Sequence, residues 1–258
     1  MPKFHYYVSK NKLLTPTIRS VRLVCDDDTT SLVYEPGQYA AISLHDQIRP
    51  TATRCFSISS SPTDRSGLEF CVRVGGKYTT ALERLKPGDA VTVRGPFGTF
   101  VLKDRKYNTL IFFAGGIGIT PFMSMIRYAT DLHLTTNIHL IFSCRTQEDV
   151  PFLEELTLLE KTNPHLRVTY IIGNGPTDRL LGLDVISGRV DEQTLRTLSL
   201  ISEDTAYMVC GPSGYIRAIQ NLLSIQGISN ENVYSEAFNQ GSRQHIGASM
   251  RWPTNVYA

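Results

Sequence analysis

Apolar residues follow two different rhythms along the chain. Between residues 18 and 94 they occur in short, mostly alternating runs: Ile18–Val24, Gln38–Leu44, Arg54–Ser59, Leu68–Val74 and Ala90–Arg94. Turn residues such as Glu35-Pro36-Gly37, Ser61-Pro62-Thr63-Asp64 and Lys86-Pro87-Gly88-Asp89 separate them. Many short strands at this spacing predict a small antiparallel β-barrel, interrupted by one short helix at about Thr79–Leu85. After the charged stretch Lys103-Asp104-Arg105-Lys106 the rhythm changes. Apolar strands at Leu110–Ala114, Ile138–Cys144, Val168–Ile172 and Tyr207–Cys210 now alternate with helical patterns at Pro121–Asp131, Pro151–Lys161, Glu192–Leu198 and Ser213–Gln226. Continuous apolar strands between amphipathic helices predict an α/β domain whose parallel sheet is covered on both faces. A short strand, Asn232–Ser235, precedes a polar tail. The pattern therefore divides the chain into 1–104, 105–238 and a tail, 239–258, of unassigned role.

Composition narrows what such a chain does. Its 258 residues are 41% hydrophobic and 19% charged, which excludes disorder and repetitive architectures. With 26 basic and 24 acidic side chains the formal net charge is +2, so neither nucleic acid nor an anionic membrane surface is an expected partner. The five cysteines, 25, 55, 71, 144 and 210, form no CxxC pair, so no metal site of the zinc-ribbon or iron–sulfur kind is expected. Scattered thiols and a first segment without an apolar signal core point to the reducing cytoplasm. The uncharged stretch Thr109–Ile126 is long enough for a membrane span, but its Gly-Gly-x-Gly turn and Pro121 make it strand, loop and helix instead.

Five segments carry candidate chemistry. Gly115-Gly116-Ile117-Gly118-Ile119-Thr120-Pro121 joins a buried strand to a helix, where glycine amides can approach a phosphate; a tight packing turn has the same appearance. On Arg54-Cys55-Phe56-Ser57-Ile58-Ser59-Ser60, a strand places Arg54 and Phe56 on one face and Cys55 and Ser57 on the other. That offers a cation, a ring and hydroxyls, or merely a half-exposed edge. Gly75-Gly76-Lys77-Tyr78-Thr79 opens the short helix with free amides, and also reads as a hairpin turn with a cap. Cys210-Gly211-Pro212 ends the fourth apolar strand on the same crevice as the Gly115 loop, although an isolated buried cysteine is usually core. Glu236-Ala237-Phe238 sets a carboxylate and a ring just after the last strand.

Taken in order, these segments resemble the ferredoxin–NADP⁺ reductase superfamily over residues 5–238. The chain looks most like the reductase modules of oxygenase systems and flavohaemoglobins, without their haem or ferredoxin parts. The resemblance implies FAD rather than FMN as cofactor, and NADH or NADPH as donor. Arg54 would then hold the flavin phosphate, Phe56 would line the ring, Ser57 would sit near its N5, and Cys55, between Arg54 and Phe56, would belong to the same cofactor-binding motif. Phe56 stands where tyrosine is more frequent. Arg73, Val74, Gly75, Gly76, Lys77 and Thr79 would bind the flavin pyrophosphate, and Phe238 would shield the ring until the nicotinamide displaces it. Gly115, Gly116, Gly118, Thr120 and Pro121 would hold the nicotinamide nucleotide. Cys210, Gly211 and Pro212 would sit at its reactive end, with Arg145 reaching its ribose or pyrophosphate. Ser57, Cys210 and Glu236 are the expected catalytic positions. No Ser-Arg pair follows the third strand, where Ile172-Gly173-Asn174-Gly175-Pro176 stands instead, so NADH is favoured over NADPH. The implied activity is hydride transfer to FAD and release of single electrons to an external ferredoxin, flavodoxin, haem or oxygenase component. The alternatives are a flavin reductase acting on ferric chelates or oxygen, and a non-catalytic redox sensor. Oligomeric state is not legible.

Overall fold

The alternation of the first half closes on itself. In a computed structural model, which describes residues 3–25, 31–44, 53–103, 106–201 and 204–238, six strands form one antiparallel sheet. They are β1 (Lys3–Thr15), β2 (Ile18–Val24), β3 (Tyr39–Leu44), β4 (Thr53–Ser57), β5 (Leu68–Arg73) and β6 (Ala90–Phe97), in the order β4-β3-β6-β1-β2-β5. An antiparallel bridge from Ile58 to Phe70 joins the two ends, so the sheet is a barrel, as expected. Every second residue fills it: Tyr6 and Val8, Val21 and Leu23, Ala40 and Ile42, Phe70 and Val72, Val91 and Val93 are all buried. Helix α1 (Lys77–Glu83) plugs one end through Tyr78 and Leu82.

The second half forms six parallel strands, β7 (Thr109–Gly115), β8 (Asn137–Cys144), β9 (Leu166–Ile172), β10 (Asp184–Ser187), β11 (Thr205–Gly211) and β12 (Val233–Ala237). Their order is β10-β9-β8-β7-β11-β12. Both faces are apolar, as the continuous runs require. Phe112, Phe142 and Met208 pack beneath α2 (Ile119–Asp131) and α3 (Leu153–Thr162). Ile111, Phe113 and Tyr207 pack against α4 (Glu192–Thr197) and α5 (Ser213–Ile225). The chain reverses its march across the sheet between β7 and β11, so the carboxyl ends of these two strands lie side by side with Ala114 opposite Cys210. Such a switch point is where open parallel sheets bind ligands.

Two strands escape the sequence pattern. The 13-residue β1 carries the polar Lys10-Asn11-Lys12 in its second half, which runs past the barrel core. Edge strand β10 is only four residues long and half-exposed. All five cysteines are thiols. Among the described residues no helix is long and apolar enough to cross a membrane. The tail, with Trp252, and the expected boundary at residue 104 lie outside the described residues.

Candidate active site at the seam between barrel and sheet

The Gly115 loop is shaped by close approach. Gly118 lies so near β11 that a Cβ on it would sit 2.3 Å from the Cys210 carbonyl oxygen. Gly115 is pressed against the Tyr215 ring, 2.8 Å from where its Cβ would be, and Gly116 takes the left-handed φ of +55°. A turn of 3₁₀ helix over 116–118 then leads into α2, with Thr120 and Pro121 buried in its first turn. The Thr120 hydroxyl donates back to the Ile117 carbonyl at 3.1 Å. Beside the loop, Gly211 has a φ of +156° and Pro212 caps α5.

Strand β12 brings Glu236 opposite Cys210 in register. The Cys210 thiol is fully buried, and burial together with the neighbouring carboxylate pushes its pKa well above the usual range. Burial alone raises the Glu236 carboxyl to about 7. Phe238 follows, its amide donating to the Gly211 carbonyl at 3.1 Å.

From the barrel, Tyr39 on β3 stands opposite Ser57 on β4 and stacks on Phe97, ring centroids 5.6 Å apart. A Cβ on Gly98 would touch the Tyr39 ring at 3.0 Å and lie 3.6 Å from Glu236 Oε1. Ser57, Tyr39, Gly98, Glu236 and Cys210 thus form a continuous row across the seam. Tyr39 is the residue that motif reading missed; its one signal is its place two residues after the Pro36-Gly37 turn. Two buried oxygens in this row, Ser57 Oγ and Glu236 Oε2, have no hydrogen-bond partner among the described residues. Buried polar atoms are normally paired, so an unpaired pair of them in one row marks a place for a polar ligand edge.

A second group sits at the barrel's plugged end. Phe56 stacks on Tyr78 at 5.9 Å, and the exposed Arg54 guanidinium lies 5.8 Å above the same ring. Nearby on the chain, the amides of Gly75 and Gly76 both donate to the Thr79 hydroxyl at 3.1 Å, and open space surrounds both glycines. Lys77 and Cys55 are exposed. The Val74 amide is spent on the Thr17 carbonyl at 2.8 Å. Arg73 does not join this group. Its guanidinium donates to the Thr17 hydroxyl at 3.0 Å, pairs loosely with Asp149 at 3.9 Å, and lies 3.5 Å from where a Gly116 Cβ would be. It therefore faces the loop after β7. Arg145 is exposed after β8, its carbonyl accepting from the Asn174 amide at 2.8 Å.

The residues present suit a dinucleotide with a flat polar ring: unpaired oxygens at one end, aromatic rings, and then a cation and open glycine amides. The loop between β7 and α2 suits a second nucleotide's phosphates. Together, fold and seam define a two-domain oxidoreductase that binds a flavin and a nicotinamide nucleotide.

Comparison with known proteins gives the same class. The description "Oxidoreductase FAD-binding domain" matches residues 5–102, and "Oxidoreductase NAD-binding domain" matches residues 112–221. The reductase component of a naphthalene 1,2-dioxygenase system from Pseudomonas putida is 29% identical over 211 residues, which is 81% of this chain and 61% of that protein. A naphthalene 1,2-dioxygenase/salicylate 5-hydroxylase reductase component from Ralstonia sp is 30% identical over 210 residues, 80% of this chain and 61% of that one. The chain thus spans about three-fifths of the length of these relatives. A ferredoxin NADP⁺ reductase from Neisseria gonorrhoeae superposes with a TM-score of 0.77 at 17% identity, covering 92% of this chain and 99% of that one. The two domain matches together span most of the chain, which therefore belongs to the flavoprotein oxidoreductases that carry an FAD-binding domain followed by an NAD-binding domain.

Proposed function

We propose that this chain takes hydride from NADH and hands single electrons to a separate protein acceptor. The observation that carries the reading is the row at the seam, where Ser57 Oγ and Glu236 Oε2 are both buried and unpaired. A bound FAD supplies the conversion, accepting two electrons together and releasing them one at a time. The chain's own part is position and electrostatics. Ser57 and Glu236 hydrogen-bond the polar edge of the ring near its reactive nitrogen. Burial, which raises the Glu236 carboxyl to about 7, favours its protonated form. Cys210 orients the nicotinamide, and Phe238 covers the site until the donor arrives.

Arg54 and the Gly75 and Gly76 amides take the flavin phosphates, replacing the Thr79 hydroxyl that those amides now share. Gly115, Gly116, Gly118, Thr120 and Pro121 cradle the nicotinamide nucleotide, with Arg73 serving this second phosphate group rather than the first. The same reading divides the chain near residue 104, flavin before it and nicotinamide nucleotide after it.

NADH is favoured because no Ser-Arg pair follows β9, where Ile172-Gly173-Asn174-Gly175-Pro176 stands. The first cation after it, Arg179, is beside Asp178, whose Oδ1 accepts from Gln147 Nε2 at 2.8 Å. The acceptor is a ferredoxin or oxygenase component, by likeness to relatives named as reductase components of dioxygenase systems. Anaerobic titration tests this reading. NADH should bleach a yellow protein at lower concentration than NADPH, and the reduced protein should then reduce one protein carrier saturably. A colourless purified protein overturns the cofactor assignment. Equal, unsaturable rates with carriers and ferric chelates overturn the protein acceptor.

A further inference from the structure

The seam has a second end that the proposed chemistry does not use. Strand β5 alternates like its neighbours, yet its outward residues Glu69 and Cys71 are buried, because α2 covers that side of the barrel. Three side chains on one face of α2 meet the segment that follows β4. Ser124 Oγ donates to the Ser60 carbonyl at 2.7 Å, Arg127 Nη1 donates to the Ser59 carbonyl at 2.7 Å, and the Thr63 hydroxyl donates to Asp131. Their spacing of three and four residues keeps them on one stripe of the helix.

Arg127 is the centre of the stripe. Its Nη1 also reaches Glu69 Oε2 at 2.5 Å, while Nε and Nη2 grip both oxygens of Glu155 on α3 at 2.6 and 2.8 Å. The guanidinium lies 5.2 Å over the ring of Phe152, a residue held at the left-handed φ of +61°. Glu69 additionally receives the Ser20 hydroxyl and, at 3.3 Å, the Ser59 hydroxyl. Burial pushes the Glu69 carboxyl up, but the Arg127 charge and the Ser20 hydroxyl outweigh it, so its pKa is lowered.

Such an arrangement is poorly explained as a source of stability. Desolvating an ion pair costs about what the pairing returns, and an apolar contact would do as well. Its distinguishing property is direction. Apolar faces can slide by an ångström at little cost, whereas a planar fork with three fixed partners cannot. The two bodies it joins are those that face each other at the reaction zone. Ser59 lies two residues beyond Ser57 on an extended segment, about 7 Å along it. Arg127 lies nine residues beyond Gly118 on a rigid helix, about 13 Å along it.

We propose that Arg127 is a positioning residue: by clasping Glu69 and the Ser59 carbonyl of the barrel while bound to Glu155, it fixes the separation between Ser57 and the Gly115–Thr120 loop. This sets how the nicotinamide meets the flavin, and it rests on the function proposed above. Arg127→Lys keeps the charge but loses the fork. The variant should retain flavin and bind NADH at nearly unchanged concentration, while flavin reduction at saturating NADH falls about 10- to 100-fold. The long-wavelength absorbance of stacked nicotinamide and flavin should weaken in parallel. In flavin-free protein, amide hydrogen exchange should rise together in segments 57–63 and 119–131. If Arg127→Lys does not accumulate folded, Glu155→Gln, which leaves the Glu69 arm in place, should show the same pattern at smaller amplitude. Unchanged reduction rate and absorbance in a flavin-loaded variant overturn the proposal. So does unchanged exchange in both segments, a measurement that decides the clasp even if the protein takes up no flavin and the function reading itself fails.

Discussion

The seam between barrel and sheet has two ends built on opposite principles. At Arg127 nearly every donor and acceptor is met, by Glu69, Glu155, Ser59 and Ser20. At Ser57 and Glu236 two oxygens are buried with no partner among the described residues. A fold selected for stability alone would pair or expose both sets, since each unmade buried hydrogen bond costs about 1–3 kcal/mol. The contrast teaches that the satisfied end holds geometry, and that the unsatisfied end is kept open for a ligand able to complete it. Strain at such an end is tolerable because the clasped end, the Gly37 turn against Phe100 and Met125, and the apolar cluster shared by Ile18, Cys71 and Phe122 hold the bodies together.

The largest effect expected comes from forcing the open end apart. In Gly118→Val a side chain must occupy the space of the Cys210 carbonyl, so the carboxyl ends of β7 and β11 separate. Reduction of the flavin by NADH should fall at least about 100-fold, because misplacement of about 1 Å is enough for such a loss. Flavin content should be nearly untouched, since Gly118 lies on the loop proposed above for the other nucleotide. Stopped-flow reduction alongside the flavin absorbance of the purified variant separates the two. A colourless variant would mean that the two nucleotide sites are not independent.

Next in size is removal of one arm of the satisfied end. Glu69→Ala leaves the Arg127 charge buried with Glu155 as its only carboxylate, and should cost about 3 kcal/mol in urea unfolding. Replacing both partners, Arg127→Met with Glu69→Leu, should recover most of that loss without recovering the rate of flavin reduction. Recovery of both would reduce the clasp to packing.

The open end should show itself through pH. The Glu236 carboxyl has its folded pKa raised to about 7 by burial. Its protonated form is therefore the one the fold prefers, and that stability is fully present below the ordinary carboxylate range and lost as pH rises through about 7. Flavin-free wild type should lose unfolding midpoint relative to Glu236→Gln between pH 5 and pH 8. A constant difference across that range would place Glu236 in water.

How much of this was legible differs between the two ends for the same physical reason. Glycines at 115 and 118 announce a close approach and Gly116 a left-handed turn, and the apolar run before them announces a buried strand. The open end could therefore be assembled from segments. The clasp could not. An arginine on a helix reads as a solvated face, and only the fold brings it to Glu69 across 58 positions. Glu69 in turn looks like the polar half of an alternating strand until α2 covers it. Arg73 shows that position in the chain does not give direction: it stands two residues before Gly75, and its strand aims it at Asp149 and Gly116. Strand β1 was hidden by Lys10-Asn11-Lys12, whose polarity belongs to a task outside the barrel core.

That task supplies the smallest and most discriminating prediction. Asn11 Nδ2 lies 3.0–3.1 Å from the carbonyls of Leu82, Glu83 and Leu85, at the end of α1, while its Oδ1 accepts from Arg19 Nε at 2.9 Å. It meets carbonyls around the end of the helix, where intrahelical partners run out, although the Leu82 carbonyl also accepts from the Leu85 amide at 3.3 Å, and it anchors the helix whose other end carries the Gly75 and Gly76 amides. In Asn11→Ala water can reach those carbonyls, so the loss should be near 1 kcal/mol, about fivefold in FAD affinity. Asn11→Asp should be worse than alanine, because it turns an acceptor toward three acceptors. Once FAD is saturating, the rate of reduction by NADH should equal that of wild type in both, since neither touches the seam. If Asn11→Ala instead slows reduction as much as Arg127→Lys, distance from the seam ceases to matter. The rate would then follow overall rigidity, and the clasp would hold no special place in it.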